Sequence, residues 1–127
     1  MSTEEEIQAI ERAAMERWAK GDSDGFLAIV APDITYFDPF IDHEIVGLQA
    51  LTDYYNSFRG QVKIDHFEFV EPRVQVLGDV AILTYQFLSH GSEGSMHWNT
   101  TEVYHRLPAG WRIVHNHWAF YKPTLAK

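Results

Sequence analysis

Apolar residues at helical spacing mark the start of the chain. Four of them fall three or four positions apart and form one stripe: Ile7, Ile10, Ala14 and Trp18. Such a stripe predicts an amphipathic helix that packs one face against a core. Thr3 and Glu6 have the spacing of a capping box at the start of this helix, and Gly21 is typical of the residue just beyond a helix end.

Two shorter helices are predicted before residue 61. Asp22 or Ser23 can cap the first of them, and Pro32 would end it. Its apolar residues are Phe26, Leu27 and Val30. The other helix begins near Gly47 and ends at Gly60. Its apolar residues share one face: Leu48, Leu51, Tyr55 and Phe58.

The pattern changes after residue 61, where β-branched and aromatic residues dominate. Five such runs predict strands: 62–70, 73–77, 80–89, 95–106 and 111–121. Turn-forming clusters separate the later runs, at 78–79, 91–94 and 107–110. Pro72 cannot donate a ladder hydrogen bond, so it predicts a bulge between the first two runs. Segment 34–38 is also expected to be extended, because Pro39 keeps the preceding residue out of the helical region.

This order of elements predicts one α+β domain over residues 1–127, with three N-terminal helices packed on a curved antiparallel sheet. Alternation along the last two strands then separates two faces of that sheet. If the loop near Pro108 has an odd number of residues, one face carries Trp98, Thr100, Glu102 and Tyr104 opposite Val114, Asn116 and Trp118. The other face carries His97, Asn99, Thr101, Val103 and His105 opposite Ile113, His115, His117 and Ala119.

The helices are expected to cover the first of these faces, because it holds two tryptophans and a tyrosine. The histidine-bearing face would suit a contact between two copies of the chain, which predicts a homodimer. His115 and His117 share this face, but these strands place no carboxylate beside them. Hydrogen-bonding histidines are therefore favoured there over a metal site.

Composition and charge exclude several classes of function. The apolar fraction is 46% and the aromatic fraction 14%, which demands a packed interior. The 10 basic and 18 acidic residues give a net charge of −8, which argues against binding nucleic acid. No basic run suits an anionic membrane, and no apolar run is long enough to span one.

The absence of cysteine excludes disulfides, thiolate nucleophiles and cysteine-ligated zinc. The first 20 residues hold Glu4, Glu5 and Glu6 and no apolar core of a signal peptide, so we expect a cytoplasmic protein. The sequence has no phosphate-binding glycine loop and no HExxH helix, and therefore predicts no cofactor and no metal.

Four segments of the chain together resemble a known family. They are Gly21-Asp22, Thr35-Tyr36-Phe37-Asp38-Pro39, Thr101-Glu102-Val103-Tyr104-His105 and Trp111-Arg112-Ile113-Val114-His115-Asn116-His117. Their order and spacing, over about residues 5–123, resemble the nuclear-transport-factor-2-like (NTF2-like) superfamily in its SnoaL-like branch. The sequence is most similar to the association (hub) domain of calcium/calmodulin-dependent protein kinase.

The resemblance implies a cystatin-like cone in which helices fold over a strongly bent sheet and a pocket opens between them. It also implies dimerisation through the convex face of the sheet. In the kinase hub domains the pocket is lined by arginines that suit carboxylate ligands. The matching positions here are Gln86, Glu102 and Trp118, a set that would not attract an anion.

Ketosteroid isomerase belongs to the same superfamily, and the resemblance places its carboxylate base at Asp38 and its protonated acid at Glu102. Its phenol donor would fall near Ala14, which has no hydroxyl. Two carboxyls in one apolar pocket would leave one base and one acid, the equipment for proton transfer beside a carbonyl. Alternatively, Asp38 caps a turn, and Glu102 pairs with an arginine (Arg12 or Arg17) or a tyrosine hydroxyl.

Aromatic residues predict the character of the ligand. The expected pocket residues are Trp18, Tyr36, Tyr54, Gln86, Trp98, Asn116 and Trp118. Such a lining suits a small, mostly apolar or aromatic molecule oriented by phenol and indole donors. The sequence leaves two functions open: a binding or homo-oligomerisation module without turnover, and a cofactor-free isomerase, cyclase or dehydratase that uses Asp38 as base with Glu102.

Overall fold

The first helix, α1, spans Thr3–Trp18 and begins one residue earlier than a helix capped by Thr3 would. A computed structural model of the protein describes residues 1–92 and 94–122. Ser2 caps α1 by accepting from the Glu5 backbone N–H, and the Glu5 carboxylate accepts from the Ser2 backbone N–H in return. The capping pair is therefore Ser2 and Glu5 rather than Thr3 and Glu6.

Residue 93, inside the predicted turn at 91–94, and residues 123–127 lie outside the described residues.

Two glycines bring the end of α1 against the segment that follows the third helix. Gly21 has φ of +87°, and a Cβ on it would lie 3.1 Å from the Gly60 Cα. The Gly60 N–H donates to the Gly21 carbonyl at 3.2 Å. Only glycine accepts this backbone conformation without strain, so this approach fixes where segment 60–64 runs.

The second helix is shorter than predicted and the first strand is longer. Helix α2 (Asp24–Leu27) is one turn, and strand β1 (Val30–Phe37) starts soon after it. Val30 and Pro32 thus belong to a strand, whereas the sequence placed Val30 in the helix and Pro32 at its end. A short strand β2 (Ile45–Val46), absent from the prediction, precedes helix α3 (Leu48–Asn56).

The four remaining strands lie close to their predicted positions. They are β3 (His66–Leu77), β4 (Val80–Gly91), β5 (Gly94–Leu107) and β6 (Gly110–Phe120). The runs predicted at 62–70 and 73–77 form one strand, and its register shifts between Val70 and Arg73 at the bulge that Pro72 predicts.

The six strands form one mixed sheet in the order β2-β1-β6-β5-β4-β3. Strand β1 pairs in parallel with β6, and every other neighbouring pair is antiparallel. The α+β class and the curved sheet with helices are confirmed. The parallel pair arises because α3 and β3–β5 lie between β1 and β6 in the chain, which leaves room for the long connection that parallel strands need. None of the described helices is long and apolar enough to cross a membrane.

The helices cover one face of the sheet, which we call the inner face. On β5, the residues of this face are the ones that the sequence predicted to lie under the helices. Thr100, Glu102 and Tyr104 are buried there, and Glu102 pairs with Asn116 on β6. The β5–β6 register shifts between Val103 and Tyr104. As a result, Tyr104 pairs with the buried Ile113, and the predictions that Val114 faces inward and Ile113 outward are wrong.

Candidate functional site

Asp38 lies just beyond the end of β1, where Pro39 turns the chain. Its Oδ1 accepts from the Phe40 backbone N–H at 2.8 Å, which closes a tight turn. Its Oδ2 accepts from two tyrosine hydroxyls, Tyr36 at 2.8 Å and Tyr54 at 2.7 Å. Strand β1 and helix α3 therefore hold this carboxyl from two sides.

A cavity of about 830 Å³ lies beside this carboxyl, between the helices and the inner face of the sheet. Among the described residues that line the cavity, Asp38 contributes the one carboxyl group and Lys63 the one amino group. Ten of its 22 lining residues are aromatic: Trp18, Phe26, Tyr36, Phe40, Tyr54, Tyr55, Phe58, Phe87, Trp98 and Trp118. Segment 60–64, which the paired glycines position, closes one side. This volume falls within the range of small-molecule sites, roughly 300–1,000 Å³.

Five of these rings form a continuous group near Asp38, which we call the aromatic wall: Trp18, Tyr36, Tyr54, Tyr55 and Phe58. Trp18 and Tyr55 meet edge to face with ring centroids 4.8 Å apart, and Tyr54 and Phe58 do so at 5.2 Å. Edge-to-face contacts of this kind are favourable beyond simple area burial. The five rings therefore support one another along one side of the cavity.

A second group of rings, which we call the mouth cluster, comprises the cavity-lining Phe40 and Trp98 and the partly exposed Phe120 that packs on both. Phe40 is 66% exposed, although its ring packs edge-on against both of its neighbours. The Trp98 indole N–H donates weakly to the Ser89 hydroxyl at 3.4 Å. Large exposed rings beside a cavity are typical of a binding surface.

The two tyrosines on Asp38 keep their protons. Burial raises the pKa of Tyr36 well above its usual range, and the nearby Tyr55 and Asp38 raise it further. Burial also raises the pKa of Tyr54, and its hydrogen bond to Asp38 adds to this effect. Both hydroxyls therefore act as donors at neutral pH, and Asp38 acts as their acceptor.

A second carboxyl, Glu102 on β5, is 0% exposed and faces Glu11 of α1. Glu11 is also buried, and it accepts from Tyr85 at 2.6 Å and from Tyr104 at 2.5 Å. Neither oxygen of Glu102 has a donor among the described residues. An ionised Glu102 would leave two buried lone-pair sites unsatisfied beside another carboxyl.

Glu11 and Glu102 each influence the pKa of the other. Burial raises the pKa of Glu102 well above its usual range, and the charge of Glu11 raises it further. Burial raises the pKa of Glu11 as well, whereas the neighbouring Glu102 carboxyl and the hydrogen bonds from Tyr104 and Tyr85 lower it. Glu102 is therefore the partner that keeps its proton, whereas the two tyrosine hydroxyls stabilise a charged Glu11.

The sequence matches the family model of the SnoaL-like domain over residues 7–121. The chain belongs to the SnoaL-like family. A ketosteroid isomerase-like protein of Parabacteroides distasonis is 36% identical, with a TM-score of 0.88, and the match covers 96% of this chain and 90% of that one. No curated protein matches the sequence.

Two further solved structures show how widely the fold is shared. An NTF2-like protein of unknown function from Pseudomonas putida is 26% identical, with a TM-score of 0.82, over 94% of this chain and 88% of that one. The CaMKII hub of S. rosetta is 21% identical, with a TM-score of 0.76, over 95% and 98%. The predicted SnoaL-like and NTF2-like resemblance is thus confirmed. Sequence identity and TM-score are both higher for the P. distasonis protein than for this hub domain.

In this SnoaL-like chain, the structure brings most of the predicted pocket residues together around one cavity. Its lining includes Trp18, Tyr36, Asp38, Tyr54, Trp98 and Trp118. Asn116 lies on the same face but behind the lining, where its Oδ1 accepts from the Trp118 indole N–H at 2.8 Å. Asn116 thus orients Trp118.

Two further predicted residues, Gln86 and Glu102, are also absent from the cavity lining. Gln86 lies on the outer face, away from the helices, where it donates to Asn99 at 3.1 Å. The prediction that Gln86 lies in the pocket with Glu102 and Trp118 was wrong. Residues 85, 87 and 89 of β4 face inward, so Gln86 between them faces outward. Glu102 faces inward but lies in the core rather than in the cavity lining. It faces Glu11 rather than Asp38, and neither of its oxygens bonds to Arg12, Arg17 or a tyrosine hydroxyl.

Sequence reasoning missed Glu11 and its two tyrosines. Glu11 follows Ile7 by one helical turn, so it sits on the apolar stripe of α1. A carboxyl at a core position of an amphipathic helix is a signal for a buried polar partner. Tyr104 was already expected on the inner face beside Glu102, whereas Tyr85 could be assigned to that face only once the register of β4 and β5 is known.

Proposed function

We propose that this protein binds a small, mostly apolar or aromatic molecule in the cavity, with Asp38 as the polar group that orients it. The observation that carries this proposal is the cavity of about 830 Å³, with ten aromatic residues among the 22 that line it and one carboxylate in its wall. Protein interiors otherwise contain few voids larger than a water molecule. A space of this size beside fixed polar groups is typical of a ligand site.

The polar groups at the cavity support an apolar ligand. The Trp118 indole N–H is already bonded to Asn116, and the Tyr36 and Tyr54 hydroxyls are bonded to Asp38. These groups therefore present mainly ring surfaces to the interior. Asp38 retains acceptor capacity, because an ionised carboxylate offers about four lone-pair sites and three donors use them here.

The test uses 1-naphthalenemethanol, a flat apolar probe with one hydroxyl donor, in calorimetric titrations. Val62 lines the cavity from an irregular segment, so Val62→Trp would fill space without breaking a strand ladder. Val46→Trp is the matched control, since Val46 is 63% exposed and is absent from the cavity lining. We expect binding to the wild type and to Val46→Trp and at least about tenfold weaker binding to Val62→Trp. Equal affinity for all three would contradict the proposal.

Homodimerisation through the outer face of the sheet is the second part of the proposal. This face carries partly exposed apolar residues beside its histidines, among them Ile82, Leu88, Val103 and Ala119. A second copy would remove them from water. Sedimentation of the wild type against Val103→Glu tests this directly, since a buried charge in the interface should produce monomers. Persistence of the dimer in that variant would exclude this face.

Proton transfer by Asp38 is a second candidate function, favoured by the 36% identity to the ketosteroid isomerase-like protein of P. distasonis. Asp38 lines the cavity, as a base for a bound ketone must. Glu102, the acid expected from the resemblance, is absent from the lining, so binding ranks above catalysis.

Conversion of cyclohex-3-enone to cyclohex-2-enone would reveal this activity. We expect Asp38→Asn to lower the rate by about 10²–10⁴-fold, whereas Asp33→Asn, at an exposed position of β1, should leave it unchanged. No rate above the buffer background in the wild type would exclude this reaction.

A further inference from the structure

Among residues 1–92 and 94–122, no cationic side chain lies within 4.0 Å of the Asp38 carboxylate. Its three hydrogen-bond donors, the two tyrosine hydroxyls and the Phe40 N–H, are all neutral. The ion pairs among the described residues join Arg17 to Asp22, His43 to Asp42, Arg59 to Asp24 and His66 to Glu68, and none includes Asp38. Lys63 also lines the cavity, but it is exposed and lies beyond 4.0 Å from this carboxylate.

Aromatic rings line the cavity wall beside Asp38. Tyr36 and Tyr54 have ring centroids 6.0 Å apart, and both hydroxyls converge on the same Asp38 oxygen. The rest of the aromatic wall continues this surface. Aromatic faces carry negative potential and attract ammonium groups, and a carboxylate among them strengthens the attraction. The net charge of −8 draws cations toward the chain from a distance.

We propose that the ligand of this cavity is an organic ammonium ion. Its apolar body lies against the aromatic wall and the mouth cluster, and its charged nitrogen donates to the free lone pair of Asp38 Oδ1. The inference rests on the proposed function and names the class of ligand for that site. The same arrangement disfavours carboxylates, because a carboxylate ligand would meet Asp38 in a largely apolar enclosure.

Three matched probes test this class by calorimetry at neutral pH: 1-naphthylmethylamine, 1-naphthalenemethanol and 1-naphthoate. They share one ring system and differ in charge. We expect the amine to bind at least about tenfold more tightly than the alcohol, and the carboxylate to bind most weakly. This comparison uses the wild-type chain and needs no variant.

Variants then assign the preference to Asp38. Asp38→Asn keeps the shape and removes the charge, so the amine should lose about tenfold in affinity while the alcohol changes little. Asp33→Asn, at an exposed site on the same strand, should change neither. Circular dichroism checks that each variant is folded, and the wild-type comparison decides the ligand class if Asp38→Asn is not.

The outcomes separate this inference from the proposed function. Binding of the alcohol as tightly as the amine overturns the ammonium inference and leaves an apolar ligand site. Binding of none of the three probes overturns both. An amine preference that survives Asp38→Asn overturns the role of Asp38.

Discussion

The Tyr54 hydroxyl donates to Asp38 Oδ2 at 2.7 Å and joins helix α3 to the end of β1 at the wall of the cavity. Tyr36, two residues before Asp38, donates to the same oxygen at 2.8 Å. One carboxylate therefore fixes two rings of the aromatic wall. A ligand that reaches Asp38 would meet a surface whose geometry is already set, which lowers the entropic cost of binding.

Removing one of these hydrogen bonds should cost stability. We expect Tyr54→Phe to lower the free energy of unfolding by about 1–2 kcal/mol, because it removes a half-buried hydrogen bond to a carboxylate. Tyr121→Phe is the control, since Tyr121 is 41% exposed and stacks on His97 through its ring. Urea unfolding should place the control within about 0.5 kcal/mol of the wild type. Equal losses in both variants would show that the bond to Asp38 contributes nothing measurable.

The buried glutamate pair should make stability fall as pH rises. Burial raises the pKa of Glu102 first, and the charge of Glu11 raises it further, above the ordinary value of 4.5. Above about pH 4.5 the unfolded chain releases a proton that the folded chain retains. The stabilisation is therefore full below that pH and is lost as pH rises toward the pKa of the folded state.

Glu102→Gln keeps the shape and cannot ionise. We expect its free energy of unfolding to fall less than that of the wild type between about pH 5 and pH 8, with an advantage of about 1–3 kcal/mol at the higher pH. Glu16→Gln, at an exposed position of α1, should follow the wild type. Urea titrations at both pH values measure this, and parallel behaviour of Glu102→Gln and wild type would rule out a protonated Glu102.

The sequence predicted elements whose signal is local. Alternation in β5 placed Glu102 on the inner face, and the turn residue Pro72 predicted the bulge in β3. Sequence-based prediction failed where the face on which a residue lies depends on the register between strands. Gln86 faces outward because the β4–β5 register sets it opposite Asn99, and no pattern within β4 alone reports that register.

The site was predictable only in part for the same reason. Asp38 and Tyr36 lie close in sequence, so their contact could be expected. Glu11 and Glu102 come from distant elements, α1 and β5, and their contact depends on which turn of the helix meets which residue of the strand. The bulge that turns Ile113 inward likewise arises from the ladder between β5 and β6.

The four tryptophans of the chain offer the most direct test of the ligand site. Trp18, Trp98 and Trp118 line the cavity, whereas Trp111 is buried outside the lining, with the Arg106 guanidinium 4.6 Å from its ring. Indole N–H signals can be followed by NMR as 1-naphthalenemethanol is added. The account predicts saturable shifts for the three cavity tryptophans and a stationary Trp111 signal. No shifts, or shifts of Trp111 as large as the others, would contradict it.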